Sequence, residues 1–153
     1  MRILGVRAAP KAASFIVYCT TEKCLKCADV VVIPATLDTP EKLKYVRNNI
    51  LDILRTYDVQ LAAIRVAESN SKNLSIDRLY IEAVIQEAFS SSEILDYSVV
   101  RKTGIKASLK LNEKQYKDFI NSHVIFENIN NTTFSQETNE AVLAALSVEA
   151  RLC

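Results

Sequence analysis

The most restrictive feature of the sequence is a set of three short apolar runs that precede any helical pattern. They cover residues 3–7 (ILGVR), 14–19 (SFIVYC) and 29–34 (DVVVIP), and all are rich in β-branched or aromatic residues. Only short segments separate them, so we expect three antiparallel strands joined by hairpins. The third run is continuously apolar, which predicts a strand that is buried on both faces.

Helical and strand patterns alternate along the rest of the chain. Asp38 or Thr39 can cap a first amphipathic helix, and Ser75 can cap a second. The other predicted segments are a fourth strand over 59–67, a fifth strand over 94–100, a basic loop over 101–110, and helices over about 112–120 and 136–151. Three antiparallel strands followed by right-handed crossovers predict an α/β fold. Its five-stranded mixed sheet would carry helices on both faces.

Composition limits the class of protein. The 153 residues are 49% apolar and 24% charged, which is typical of a single compact domain spanning 1–153. No apolar run is long enough for a signal-peptide core or a membrane span, so we expect a cytoplasmic protein with no membrane contact. With only two glycines, the chain has no phosphate-binding glycine loop, which argues against NTP hydrolysis and NAD chemistry.

Three segments, taken with this order of elements, resemble the ribonuclease H-like fold in its RuvC resolvase form. They are MRILGVR at the start, LAAIR in the predicted fourth strand and ETNEAVLAALS in the last helix. IRVAE and DRLYIEAVIQ are similar to a little-characterised group of small bacterial RuvC-like proteins. The resemblance implies acidic residues at the ends of strands one and four and at the start of the last helix. Together these acids would hold two divalent metal ions.

The chain departs from that pattern at two positions. Arg7 stands where the resemblance implies an aspartate, and Arg65 where it implies a glutamate, whereas Glu137 and Glu140 keep an acidic i, i+3 pair. A guanidinium group cannot ligate a metal, and two of them would repel Mg²⁺. We therefore predict that Arg7 and Arg65 pair with Glu137 and Glu140 between sheet and helix. The alternative is that both arginines point to solvent and the glutamates lie on an exposed first turn.

Our leading hypothesis is a non-catalytic RuvC-like domain with a degenerate active site and no metal cofactor, which binds nucleic acid or a protein partner. The alternative is a divergent Mg- or Mn-dependent nuclease that uses Glu68, Glu137, Glu140 and Asp96. A slip of strand four by three residues would bring Glu68 to a ligand position, but it would also turn the side chain to the opposite face.

Basic residues concentrate between 101 and 117, although the net charge of the chain is only +1. The resemblance implies that the segments after strands four and five lie beside nucleic acid. The candidate phosphate contacts, which we call the basic rim, are Lys72, Arg78, Arg101, Lys102 and Lys106. An ordinary lysine-rich, solvated surface is the alternative interpretation.

The last helix suggests a third class of protein, one that self-associates into a homo-oligomer. This helix is rich in alanine and carries Val142, Leu143 and Leu146. Small residues beside apolar ones would let a second helix approach closely.

Three of the four cysteines fall within the stretch CTTEKCLKC. Cys19, Cys24 and Cys27 have the spacing of the first three ligands of a plant-type iron–sulfur loop, but Cys153 is 126 residues further on. His123, the only histidine, lies in an apolar segment and is expected to be packed rather than ligating. We place the stretch in the hairpin between strands two and three and favour no chemistry there. A metal site or a Cys24 and Cys27 redox dithiol are the alternatives.

Overall fold

The structure is a computed structural model that describes residues 1–152. Its strands are β1 (Arg2–Ala9), β2 (Ala12–Cys19), β3 (Cys24–Val32), β4 (Leu61–Arg65) and β5 (Asp96–Val100). They form a five-stranded sheet with the order β3-β2-β1-β4-β5. The strands β1, β2 and β3 pair antiparallel, whereas β4 pairs parallel with both β1 and β5. The predicted mixed sheet with three antiparallel first strands is therefore confirmed.

Helices cover both faces of the sheet, as predicted. The helices are α1 (Thr39–Thr56), α2 (Ile76–Ser91), α3 (Lys102–Leu109), α4 (Glu113–Ile120) and α5 (Gln136–Leu152). The first core lies between the sheet and α1 and α2, and includes Val46, Ile50 and Phe89. The second core lies between the opposite face and α3, α4 and α5, and includes Ile3 and Leu143.

The two long helices of the first core begin at the predicted caps. Asp38 accepts a hydrogen bond from the backbone N–H of Glu41 at 2.9 Å, and Glu41 accepts one from the backbone N–H of Asp38 at 3.0 Å. This reciprocal pair is a capping box. Ser75 accepts a hydrogen bond from the backbone N–H of Arg78 at 3.2 Å and starts α2. Local side-chain chemistry therefore fixes where both helices begin.

Gly5 lets α5 lie unusually close to the central strand β1. A Cβ atom at this position would be 2.1 Å from the carbonyl oxygen of Ala141 and 3.2 Å from the Cβ of Ala145. A side chain of any size would therefore overlap the helix backbone. The absence of a side chain at Gly5 and the small side chains of α5 set the distance between the sheet and the start of α5.

The third strand differs from its prediction. It is an edge strand that pairs only with β2, and Val30 and Val32 are 41% and 66% exposed. A continuous apolar run does not distinguish an edge strand from a central one, because the order of strands depends on distant parts of the chain. The strand also begins at Cys24, so Cys24 and Cys27 lie in β3 rather than in the hairpin turn.

One further prediction is wrong, and the residues named for self-association lie in the core. The basic loop predicted over 101–110 contains the helix α3, in which Ile105 is buried and Leu109, one turn later, packs against the second core. In α5, Val142 and Leu143 are each 1% exposed and Leu146 packs against the same core, so they do not form a free surface for self-association.

No helix within residues 1–152 is long and apolar enough to cross a membrane.

Candidate functional site

Parallel pairing of β1 with β4 places two arginines side by side. Arg7 lies opposite Arg65 in the strand register, near the carboxyl ends of both strands. Because side chains alternate along a strand, both arginines lie on the face that carries Ile3 and Ala63, under α5. Arg7 is 8% exposed and Arg65 is 5% exposed. The alternative in which both arginines point to solvent is therefore wrong.

Glu140 of α5 lies between the two guanidinium groups. Its Oε2 atom is 3.2 Å from Nε of Arg7 and 3.2 Å from Nε of Arg65. Neither contact has the alignment of a hydrogen bond, so the attraction is mainly ionic. The close packing of α5 on Gly5 brings the first turns of this helix within reach of both strands. We call Arg7, Arg65 and Glu140 the arginine cluster.

Backbone carbonyls hold the two guanidinium groups in place. Nη1 of Arg7 donates to the carbonyl oxygen of Arg65 at 3.0 Å, and Nη1 of Arg65 donates to the carbonyl oxygen of Val66. Burial lowers the pKa of Arg7, and Glu140 acts in the opposite direction, while the positive charges of Arg65 and Arg78 lower that pKa further. Guanidinium groups remain protonated in proteins, so both positive charges persist at neutral pH.

Glu68 connects the arginine cluster to α3. Its Oε1 atom is 3.2 Å from Nη2 of Arg65 and accepts a hydrogen bond from the backbone N–H of Lys102 at 3.0 Å. Nε of Arg101 also donates to the carbonyl oxygen of Ala67 at 3.3 Å. The segment after β4 is thereby fixed against the start of α3, and Glu68 acts as a counter-ion of Arg65.

Two other predicted acids lie apart from the arginine cluster. Glu137 precedes Glu140 by nearly one helical turn, about 4.5 Å along the axis, and it forms no ion pair with another of residues 1–152. The prediction that Glu137 pairs with the arginines is therefore wrong. Asp96 is the first residue of β5 and lies opposite Leu61, whereas Arg65 lies opposite Val100. It is about 13 Å further along the sheet, at the opposite end from the arginine cluster.

Sequence reasoning missed Glu82 and Tyr116. Glu82 is 4% exposed and accepts a hydrogen bond from the backbone N–H of Ala67 at 2.8 Å, and its charge raises the pKa of Arg7. Tyr116 is 3% exposed, and its Oη atom lies 3.4 Å from Nε of Arg65. Burial raises the pKa of Tyr116, which keeps its hydroxyl neutral. The sequence indicates that Glu82 is buried, because it lies three residues before Ile85 and therefore on the core-facing side of α2.

A pair of divalent metal ions does not fit this donor set. Between β1, β4 and α5, the guanidinium groups of Arg7 and Arg65 both lie 3.2 Å from Glu140, and Arg65 also pairs with Glu68 at 3.2 Å. Hard divalent ions require several oxygen ligands with negative charge, and fixed cations at this distance would repel them. Within residues 1–152, no three His, Cys, Asp or Glu side chains are arranged to hold a metal.

The residues of the basic rim follow the carboxyl ends of β4 and β5 in the chain, and at that end of the sheet Arg65 lies opposite Val100. Lys72 and Arg101 are exposed, and no ion pair joins either of them to another residue in the described range. Lys102 and Lys106 both contact Glu113, with 2.9 Å between Nζ of Lys106 and Oε2. Both lysines donate to this carboxylate and lower the pKa of Glu113 to about 2.

The fifth member of the basic rim, Arg78, is half-buried at the start of α2. Its Nε atom is buried and has no hydrogen-bond partner among residues 1–152. Its charge contributes to the lowered pKa of Arg7. Arg78 therefore belongs electrostatically to the surroundings of the arginine cluster rather than to the exposed part of the basic rim.

The cysteines and the histidine do not converge on one site. Cys19 lies opposite Cys24 in the hairpin, whereas Cys27 lies opposite Val17. Cys153 lies outside the described residues. The side chain of His123 is 69% exposed, with Nδ1 3.8 Å from Asp118, so the expectation that it is packed is wrong. The segment after α4 is a turn, in which Phe126 rather than His123 enters the core.

The sheet order, together with helices on both faces, is that of the ribonuclease H-like fold. Among solved structures, Thermus thermophilus RuvC is similar to this chain with a TM-score of 0.77 and 12% identity, over 99% of this chain and 95% of that chain. The same protein in complex with a Holliday junction substrate gives a TM-score of 0.76 at 12% identity, over 99% and 94%. The chain thus has the RuvC-like form of the fold, as predicted.

A second resolvase extends this likeness. The yeast mitochondrial Holliday junction resolvase Ydc2 matches with a TM-score of 0.59 and 10% identity, over 97% of this chain and 78% of that chain. No protein-family model matches the sequence, and no curated protein is similar to it. At these identities the likeness establishes the fold alone.

Proposed function

We propose that this protein is a non-catalytic RuvC-like domain that binds nucleic acid through the phosphate backbone. The observation that carries the proposal is the burial of Arg7 and Arg65 around Glu140, at the carboxyl ends of β1 and β4. The resemblance implies metal-binding acids at these positions. Two permanent cations there replace the electrostatic role of metal ions between the sheet and α5, and they remove the chemistry that metal ions supply.

Attraction for phosphates comes from the basic rim rather than from the arginine cluster. The buried charges are balanced, because Glu140 and Glu68 offset Arg7 and Arg65. In the basic rim, by contrast, Lys102 and Lys106 share the carboxylate of Glu113, and Lys72 and Arg101 are exposed. Surplus positive charge on one side of the molecule supports sequence-independent contact with phosphates.

A four-way DNA junction is the first ligand to test, because Thermus thermophilus RuvC was solved with a Holliday junction substrate. Binding is measured against a linear duplex of the same sequence at several salt concentrations. We expect the logarithm of the association constant to fall linearly with the logarithm of the salt concentration. An affinity that is undetectable or independent of salt would contradict this proposal and would leave a protein partner or a homo-oligomer as the alternative.

Single alanine variants test the basic rim. Lys72→Ala and Arg101→Ala should each flatten the salt slope by about one unit for each phosphate contact removed. Lys44→Ala is the matched control, since Lys44 is exposed on α1, on the opposite face of the sheet. Equal effects of Lys44→Ala and Arg101→Ala would show that binding is diffuse and does not use the basic rim.

The nuclease alternative requires a separate assay. Purified protein is incubated with junction and linear DNA and RNA in Mg²⁺ or Mn²⁺, and we expect no cleavage above that of a blank. Cleavage that disappears in Glu140→Gln or Glu137→Gln would overturn the non-catalytic proposal. It would mean that the remaining carboxylates bind metal despite the neighbouring arginines.

A further inference from the structure

Two cysteine side chains are cross-strand neighbours at the end of the hairpin between β2 and β3. Cys19 ends β2, Cys24 begins β3, and the two residues lie directly opposite each other in the antiparallel register. Residues directly opposite in an antiparallel pair have Cα atoms about 4.5 to 5.5 Å apart, which lies within the range of about 4.4 to 6.8 Å that a disulfide requires. Neither thiol is in a disulfide; Cys19 is buried, with 7% of its surface exposed, and Cys24 is half-buried.

The two thiols have different surroundings. The pKa of Cys19 is lowered, chiefly by the backbone of Glu22 and to a smaller extent by the backbone of Thr21, while burial acts in the opposite direction. Burial raises the pKa of Cys24, and its thiol donates to Oε2 of Glu22 at 3.6 Å. The turn between β2 and β3 therefore favours a thiolate at Cys19 and a protonated thiol at Cys24.

We propose that Cys19 and Cys24 are a reversible oxidation site that takes a hydroperoxide as its oxidant and closes to an intramolecular disulfide. In the first step the Cys19 thiolate attacks one peroxide oxygen, the O–O bond breaks, and a sulfenic acid forms as hydroxide or alkoxide leaves. In the second step Cys24 attacks the sulfur of Cys19. An S–S bond forms, the S–O bond breaks, and the thiol proton of Cys24 leaves with the hydroxyl group as water.

The third hairpin cysteine is excluded from this pair by its position. Cys27 lies opposite Val17, beyond a bulge in the register between Val17 and Tyr18. Cys27 is instead next to Tyr57, whose pKa it raises. Sequence spacing alone suggests Cys24 and Cys27 as a redox dithiol. The strand register instead places Cys24 opposite Cys19.

Peptide mapping of the full-length wild-type chain tests the pairing directly. Trypsin cleaves after Lys11, Lys23, Lys26 and Lys42, so the three cysteines fall in the separate peptides 12–23, 24–26 and 27–42. After treatment with hydrogen peroxide and alkylation of the remaining thiols, we expect a disulfide between the first two peptides. Dithiothreitol should abolish this link. A link between the second and third peptides, or no link within the hairpin, would overturn the proposal.

Serine variants separate the two roles. In Cys24→Ser the second step is blocked, so the sulfenic acid should persist on Cys19, and dimedone, which reacts with sulfenic acids, should label Cys19 more than in the wild type. Cys27→Ser is the matched control and should form the Cys19 and Cys24 disulfide at the wild-type rate. Labelling at Cys27 in place of Cys19, or loss of the disulfide in Cys27→Ser, would contradict the assignment. The wild-type map remains decisive if a variant does not fold.

Discussion

Replacing Glu140 by Gln should destabilise the protein far more than a single neutral substitution on a helix normally does. Glu140 is the carboxylate within 3.2 Å of both arginine Nε atoms. The side chains of Arg7, Arg65 and Glu140 are 10%, 6% and 13% exposed, so solvent screens their charges weakly. The substitution keeps the shape of the side chain and removes its charge, which leaves two neighbouring buried cations.

The size of the effect follows from distance and burial. Two unit charges 3.2 Å apart attract by about 5 kcal/mol at an effective dielectric constant of about 20, and most of this gain offsets the desolvation of the ions. Removing the carboxylate leaves the arginines desolvated and mutually repelling, while Glu68 still compensates part of the charge of Arg65. Breaking a buried pair in this way lowers the free energy of unfolding by about 3–5 kcal/mol.

Thermal unfolding followed by circular dichroism measures this change. For a chain of this size the midpoint should fall by about 6 to 20 °C. Glu137→Gln, nearly one turn earlier on α5 and without an ion pair to another of residues 1–152, is the control and should change stability by less than about 0.5 kcal/mol. A loss below about 1 kcal/mol in Glu140→Gln would show that the arginine cluster is solvated, and would refute the reasoning.

Compensating variants test whether the three charges act as a unit. Exchanging Arg65→Glu with Glu140→Arg keeps two cations and one carboxylate, and should recover part of the loss that Arg65→Glu causes alone. Combining Arg7→Met, Arg65→Met and Glu140→Leu removes all three charges and should be close to wild-type stability, because apolar residues of similar volume can replace buried ions. Strict additivity of the single effects would mean that the three residues do not interact.

Three further predictions concern glycine packing and Glu113. Gly5→Ala should lower the free energy of unfolding, measured by urea titration, by at least about 1–3 kcal/mol, because its Cβ would overlap α5. Gly104→Ala, where the added Cβ would have no atom within 4 Å, should raise the free energy of unfolding by about 0.5–1 kcal/mol through helix propensity. Similar effects at both sites would contradict this reasoning. Glu113→Gln should free Lys102 and Lys106, tightening junction binding and steepening its salt slope, and unchanged binding would exclude these lysines from the interface. Because the folded pKa of Glu113 is lowered to about 2, its contribution to stability should be present above about pH 4.5 and disappear between about pH 4.5 and 2. The measurement is the difference in unfolding midpoint between the wild type and Glu113→Gln at each pH.

The sequence predicted the sheet well because its signals there are local. Apolar runs bounded by turns mark the strands, and Asp38 and Ser75 mark two helix starts by their own hydrogen bonds. The segment 101–110 was harder, because Gly104 and several lysines suggest a loop whereas the burial of Ile105 favours a helix. The edge position of β3 depends on which strands pair, and no property of residues 29–34 contains that information.

The candidate site was predictable only where the fold fixed the register. Arg7 and Arg65 end comparable apolar runs, so parallel pairing brings them together once the fold is known. Which glutamate of α5 meets them depends on how far the helix extends past the strands, and a spacing of i, i+3 cannot decide this. Glu82 and Tyr116 reach the site from helices whose rotation about their axes is set by packing.

The positive charges that join β1 and β4 to α5 are covalently part of the chain. An arrangement held together by bound ions has a dissociation equilibrium, and it loosens when those ions become scarce or a chelator competes for them. Arg7, Arg65 and Glu140 have no such equilibrium, so the attachment of the last helix to the sheet through these residues does not depend on the supply of a bound metal ion.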